Sequence, residues 1–276
     1  METKAVNIKG AKRLFIKLGS CSRTMAFIID REFGNISEME EKALDPLAGG
    51  ILQQGYQCGM LWGAALAIGA EAYKTTGSLD TAQARALAAM QHTLSNFLER
   101  TKTADCEEIT HCDWQNKLSV AKHMLSGKVV SCFYLLQKWA PEAVMSAREG
   151  LDNNTKNLPV GCKNCASEVV RKMGGSEMEM AMVAGFAGGL GMSGNACGAL
   201  AAAIWKKTLA MCKENPNKSF FNNEKASELL ELFYKITDYE ILCSDITKHQ
   251  FSSIKEHSDY LDSGGCKHII EGLSLS

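Results

Sequence analysis

The sequence predicts an all-α protein built from two tandem helical repeats, and three observations carry that prediction. Prolines are scarce, with four in 276 residues. Apolar residues recur at helical spacing while β-branched alternation is rare. The chain also repeats itself. Residues 48–64, AGGILQQGYQCGMLWGA, and residues 187–203, AGGLGMSGNACGALAAA, align without a gap and agree at eight of seventeen positions. Matching glycines around a matching cysteine point to a copied backbone shape, which shared apolar periodicity alone does not require.

The elements follow in order. Pro46, Pro141, Pro159 and Pro216 are expected where segments begin or end. Cys58 is expected at a helix start. Ser78 caps a helix over 79–100, whose Leu87, Met90, Leu94, Phe97 and Leu98 share one face. The polar, turn-rich stretch 148–159, REGLDNNTKNLP, reads as the connector between a first repeat over 1–150 and a second over 151–276. Residues 188–194 form a tight bend before the Cys197 helix. Asn223 starts the later counterpart of the Ser78 helix, with Leu229, Leu230, Phe233 and Ile236 as its apolar stripe. Equivalent faces of two such repeats can pack about a pseudo-twofold axis.

Eight of the eleven cysteines fall into parallel sets. Cys21, Cys58, Cys106 and Cys132 are separated by 37, 48 and 26 residues, and Cys165, Cys197, Cys243 and Cys266 by 32, 46 and 23. Cys112, Cys162 and Cys212 are left over. Free backbone amides at a helix start favour negative charge, so the boxed thiols Cys58 and Cys197 are expected to have lowered pKa values. Four thiolates suit an iron–sulfur cluster or a closed zinc site. Cys132, within an apolar run, is equally readable as a core residue.

The boxes Cys58-Gly59-Met60-Leu61-Trp62-Gly63 and Cys197-Gly198-Ala199-Leu200-Ala201-Ala202, with Gly185-Phe186-Ala187-Gly188-Gly189 before the second, resemble a redox-active family named for its C…GCAxxG…C…C arrangement. Each box departs once, with Met60 for alanine and Ala202 for glycine, and neither departure removes a thiol. The resemblance implies redox chemistry and an iron–sulfur centre of unspecified type in each half. Cys21, Cys58, Cys106 and Cys132 would ligate the first centre, and Cys165, Cys197, Cys243 and Cys266 the second. Electron transfer to a redox partner protein would be the role.

Two other readings stay open. Cys162-Lys163-Asn164-Cys165 is a Cys-x-x-Cys pair fit for thiol–disulfide exchange, with Lys163 and a following helix activating the first thiol. A zinc-stabilised interaction module is the non-catalytic alternative, and a protein without metal the third case. His111 beside Cys112, and His268 near Cys266, are candidate substitute ligands. The glycines of 185–194 lack the strand and the Gly-Lys-Ser/Thr of a phosphate-binding loop.

With 30 basic and 31 acidic residues and no long basic run, nothing favours a nucleic-acid partner. Residues 46–70 and 180–205 carry no charge, yet their glycines and glutamines argue for buried core over membrane insertion. The start of the chain has no secretory pattern, so a cytoplasmic location is expected, where many thiols mean metal, redox work or buried packing. Homo-oligomerisation is left open.

Overall fold

The computed structural model describes residues 10–127, 129–153, 158–159 and 161–275. The described residues form fifteen α-helices and no strand beyond two isolated bridges. After an extra helix α1 (Ala11–Leu18), the first half runs α2 (Cys21–Phe33), α3 (Glu38–Lys42), α4 (Gly59–Thr76), α5 (Leu79–Thr101), α6 (Cys106–Thr110), α7 (Lys117–Leu125) and α8 (Val129–Asn153). The second half repeats the order with α9 (Cys165–Lys172), α10 (Glu177–Met182), α11 (Gly198–Glu214), α12 (Glu224–Ile236), α13 (Cys243–Thr247), α14 (Ile254–Asp262) and α15 (Lys267–Ser274). A 3-10 turn precedes each boxed cysteine, at Asp45–Leu47 and Ala184–Phe186.

Between the 3-10 turn and the boxed cysteine the backbone does something unusual. Gly49, Gly50, Ile51, Leu52 and Gln53 all have positive φ, as do Gly188, Gly189, Leu190, Gly191 and Met192 in the same register. Each run is one turn of left-handed helix. A side-chain residue in that conformation costs about 1–2 kcal/mol. Ile51 and Leu190 are fully buried there, and burial of a large aliphatic side chain returns about 2 kcal/mol. Burial thus offsets the strain at Ile51 and Leu190 themselves, and the packing of the turn must carry the rest.

A two-bond bridge then ties each boxed cysteine to the third cysteine of its set. Cys58 N donates to Ala104 O at 2.8 Å and Cys106 N to Tyr56 O at 2.7 Å; Cys197 N donates to Ile241 O at 2.9 Å and Cys243 N to Asn195 O at 2.7 Å. These bonds close a separation of more than forty residues in each half.

The halves meet reciprocally. Helix α10 packs on α4 and α3 packs on α11, the pattern of an isologous contact. Gly69 permits the first approach, since a Cβ there would lie 2.2 Å from Ala181 O. Trp205 Nε1 donates to Glu40 O at 3.0 Å, Trp62 stacks edge-on against Phe186 at 5.0 Å, and Gln57 Nε2 donates to Gly189 O at 3.2 Å.

Several sequence expectations hold, and two need correction. Ser78 and Asn223 are the N-cap residues of α5 and α12, although only Asn223 caps through its side chain. Pro141 lies inside α8 and does not end it. Its ring removes a backbone donor, but Trp139, Ala140, Ala143, Val144 and Ala147 are fully buried. Trp139 packs edge-on against Phe97 of α5 at 4.6 Å. That packing carries the helix across the proline. Residues 148–153 of the expected connector are therefore still helix, while 154–157 lie outside the described residues, as do residues 1–9. The two uncharged stretches are divided among turn, bridge and helix, and no helix of the described residues is long and apolar enough to cross a membrane.

Candidate functional site

The first site collects its thiols from helix starts. Cys21 opens α2 behind the capping residue Ser20, whose hydroxyl accepts from Arg23 N and donates to Asp45 Oδ1 at 2.7 Å. Cys58 is the N-cap of α4, Cys106 opens α6, and Cys132 sits in the first turn of α8. The Cys21 thiol interacts with Cys58, Cys106 and Cys132, and Cys106 with Cys132. Sequence reasoning set Cys112 aside, yet this buried fifth thiol faces Cys106 and Cys132 and accepts from Ser119 Oγ at 3.8 Å. Its nearness in sequence to Cys106 was the available signal.

Cys21 and Cys58 behave as a pair. The Cys58 thiol donates to Cys21, and the N–H groups of Gly49 and Ser22 add to it, so the Cys21 pKa is lowered despite burial. Cys58 is pushed well above the ordinary thiol value because its proton is held by Cys21 and because it is buried. Cys21 Sγ rests against Gly59, where a Cβ would lie 2.6 Å from the sulfur.

The second site reuses the plan. Cys165 opens α9 behind the cap Asn164, Cys197 is the N-cap of α11, Cys243 opens α13, and Cys266 is the N-cap of α15. Each of the four thiols interacts with the other three. Gly188 N–H donates to Cys165, as Gly49 does to Cys21. Burial nevertheless raises Cys165, Cys197 and Cys243, and raises Cys266 to about 12 against the opposing Tyr260 hydroxyl.

The expected lowering at the boxed thiols is thus corrected. Both boxed cysteines do stand at helix starts, and nearby N–H groups (Met60; Leu200 and Ala199) do pull their pKa values down. At Cys58 the bond to Cys21 and then burial outweigh that donor, and at Cys197 burial alone does, because desolvation penalises the thiolate more than one helix terminus stabilises it. The lowered thiol is Cys21.

An apolar cavity of about 370 Å³ opens beside the first site, lined by Cys21, Cys106 and Cys132 together with Phe15, Trp114 and Phe133. The thiolate-only donor sets have the chemistry that iron–sulfur clusters and zinc accept. Among the described residues, however, no group of three or more Cys, His, Asp or Glu side chains stands close enough to hold a metal ion. His111 and His268 are exposed. Lys163, the expected activator of Cys162, instead meets Asp262 at 2.5 Å, and Cys165 interacts with its own set. Cys212 is buried in α11 near Lys42 and Asp45, with neither set.

A family model described as "Putative redox-active protein (C_GCAxxG_C_C)" matches the chain twice, over residues 20–174 and 160–274. Searches of curated proteins and of solved structures gave no match.

Proposed function

The chain belongs to the putative redox-active protein family with the C_GCAxxG_C_C motif, and from that premise we propose that its first cysteine set is a dithiol–disulfide centre. The observation that carries this reading is the Cys21/Cys58 pair: the Cys21 sulfur rests against Gly59, the residue that follows Cys58, and the two thiols displace each other's pKa in opposite directions. Cys21, the half-buried member on the cavity, is the nucleophile. Cys58, buried behind it, is the resolving thiol.

In the exchange, Cys21 Sγ bonds to one sulfur of a partner disulfide and the partner's S–S bond breaks. Cys58 Sγ then bonds to Cys21 Sγ, and the partner leaves with both of its thiols. One disulfide is reduced and one is formed. The reverse sequence loads the pair with electrons. Activation comes first from the Cys58 thiol, which donates to Cys21, and then from the N–H groups at the left-handed turn and at the start of α2.

A second reading keeps a metal centre in each half. It is favoured by the mutual facing of all four thiols in the second set, more than a dithiol pair needs. It requires the thiols to draw closer together than they stand here, and no chemical step is derived from it.

One experiment separates the two. Protein purified without oxygen is analysed for iron, zinc and acid-labile sulfide, then oxidised with one equivalent of a soluble disulfide and mapped by mass spectrometry. The dithiol reading expects a Cys21–Cys58 disulfide that a dithiol reductant reverses. Iron with sulfide and a visible band that bleaches on reduction, without that disulfide, overturns it in favour of the cluster.

A further inference from the structure

We propose that the apolar cavity beside Cys21 binds an uncharged, planar two-electron acceptor of the quinone class. The inference rests on the dithiol reading and names where the electrons of the pair go. Three observations define the ligand.

The first is charge. The cavity is walled by Phe15, Ile16, Trp114, Met124, Phe133 and Phe221, and no Asp, Glu, Lys, Arg or His side chain lines it. A phosphate, a carboxylate or a nucleotide would be desolvated there without compensation. The second is shape. Phe15 and Phe133 meet edge-on at 4.7 Å, and with Trp114 and Phe221 they give flat walls around about 370 Å³, room for one or two fused rings. Trp114 offers the ligand its ring face, while its buried Nε1 is directed at the Cys106 thiol. The third is access. Ile16 of α1 and Met124 of α7 are both cavity-lining and exposed, and Leu118 and Leu125 of α7 and Val130 and Tyr134 of α8 add further exposed apolar surface. A lipophilic molecule thus meets apolar surface before it meets the cavity.

Cys21, Cys106 and Cys132 line this cavity and Cys58 lies behind it, so of the reacting pair only Cys21 touches the ligand. In the reaction, Cys58 Sγ bonds to Cys21 Sγ and the electron pair released passes to the quinone ring. Two protons, one from each thiol, end on the two quinone oxygens. One disulfide forms for each quinone converted to hydroquinone.

The test uses the full chain, reduced and free of oxygen, with tetramethyl-1,4-benzoquinone, which has no free ring carbon for irreversible arylation. Binding is read as quenching of tryptophan fluorescence in Cys21→Ser, which cannot turn over. Turnover is read as hydroquinone formed and disulfide mapped in the otherwise unaltered chain. Met124→Arg puts a charge at the exposed mouth, and Met124→Leu keeps the mouth apolar; circular dichroism checks that both fold. Saturable quenching, one hydroquinone per chain and a Cys21–Cys58 disulfide are expected. Met124→Arg should lower the rate with the quinone about tenfold relative to the rate with bis(2-hydroxyethyl) disulfide, and Met124→Leu should leave that ratio near the parent value. Quenching that does not saturate, or a ratio that Met124→Arg leaves alone, overturns the cavity assignment; a disulfide still formed with bis(2-hydroxyethyl) disulfide then leaves the dithiol reading standing. Saturable binding with no disulfide from either oxidant overturns the acceptor role and the dithiol reading together.

Discussion

The two cysteine sets are assembled by the same parts and end in different surroundings. In both, the first thiol opens a helix behind a side-chain cap, a left-handed turn lends it a glycine N–H, and a two-bond bridge joins the second thiol to the third. Yet Cys21 is half-buried on an open apolar cavity, while Cys165 is only 5% exposed. The fourth thiols differ as well. Cys132 belongs to the long α8, whereas Cys266 precedes the short α15 and carries the Tyr260 hydroxyl, with Phe251 packed on that tyrosine at 5.2 Å. The lesson is that the copied backbone supplies comparable donors to both first thiols, and the hydrogen bond from the neighbouring boxed thiol decides which one is activated. With comparable N–H donors, burial raises Cys165, and the Cys58 hydrogen bond tips Cys21 the other way.

Exchanging one first thiol at a time puts the largest strain on this comparison. Cys21→Ser should abolish reversible loss of two thiols on oxidation. Cys165→Ser should leave that cycle intact and lower stability by about 1 kcal/mol, the order expected when a buried thiol becomes a hydroxyl with one N–H partner. Thiol titration before and after oxidation, with urea unfolding of both variants, checks the pair. Equal loss of cycling in the two variants would mean that the halves work alike and that the asymmetry drawn here is wrong.

The glycine after each boxed cysteine sharpens the same contrast. A Cβ on Gly198 would lie 1.8 Å from Phe186 O, a backbone atom that cannot move alone. On Gly59 it would lie 2.6 Å from Cys21 Sγ and 3.0 Å from Ala48 Cα. Gly198→Ala should therefore cost about 3 kcal/mol in a urea titration, at the upper end for overpacking. Gly59→Ala should cost less and act on chemistry, because its Cβ displaces the Cys21 sulfur from Cys58. A slower reaction of Cys21 with a soluble disulfide, at near-parent stability, is the expected signature. Equal stability losses with unchanged Cys21 reactivity would remove Gly59 from the site.

How much of this could be read in advance depends on what each feature is made of. The helical class, the caps at Ser78 and Asn223 and the helix starts at Cys58 and Cys197 follow from residue type and spacing, which are local. So does the pairing of the cysteines into sets, because duplication leaves its order in the chain. The left-handed turn was legible only as a bend: Gly188 and Gly189 announce it, but Ile51, Leu52 and Gln53 adopt the same backbone with side chains that ordinarily avoid it. Pro141 misled because tertiary packing on Phe97 overrides a local helix breaker. The activated thiol was misassigned because a pKa depends on the contest between burial and donors, and burial is a property of the fold. At the offset that aligns Cys106 with Cys243, Cys112 falls opposite His249, so a search for repeated cysteines passes over it.

The smallest effect separates the halves by pH. On α2, Asp30 is raised from the carboxylate range to about 8, first by burial and then by the neighbouring Glu41, with Arg31 and Ser37 opposing. On α14, His257 is lowered to about 4 by burial. The signs are opposite in effect. The folded chain holds the Asp30 proton more tightly than the unfolded chain, where aspartate titrates near about 4. Its contribution to stability is complete below about pH 4 and declines until about pH 8. The folded chain holds the His257 proton less tightly than the unfolded chain, where histidine titrates near about 6.5. That contribution is complete above about pH 6.5 and declines as the pH falls towards about 4. Between those last two values the slopes oppose, and above about pH 6.5 Asp30 acts alone. Urea midpoints at pH 5, 6, 7 and 8 should therefore drop between pH 7 and 8, and Asp30→Asn should flatten that drop. His257→Asn should leave it and alter the acid side only. If the Asp30→Asn curve runs parallel to the parent curve from pH 7 to 8, then Asp30 is not the group that makes the first half sensitive to rising pH.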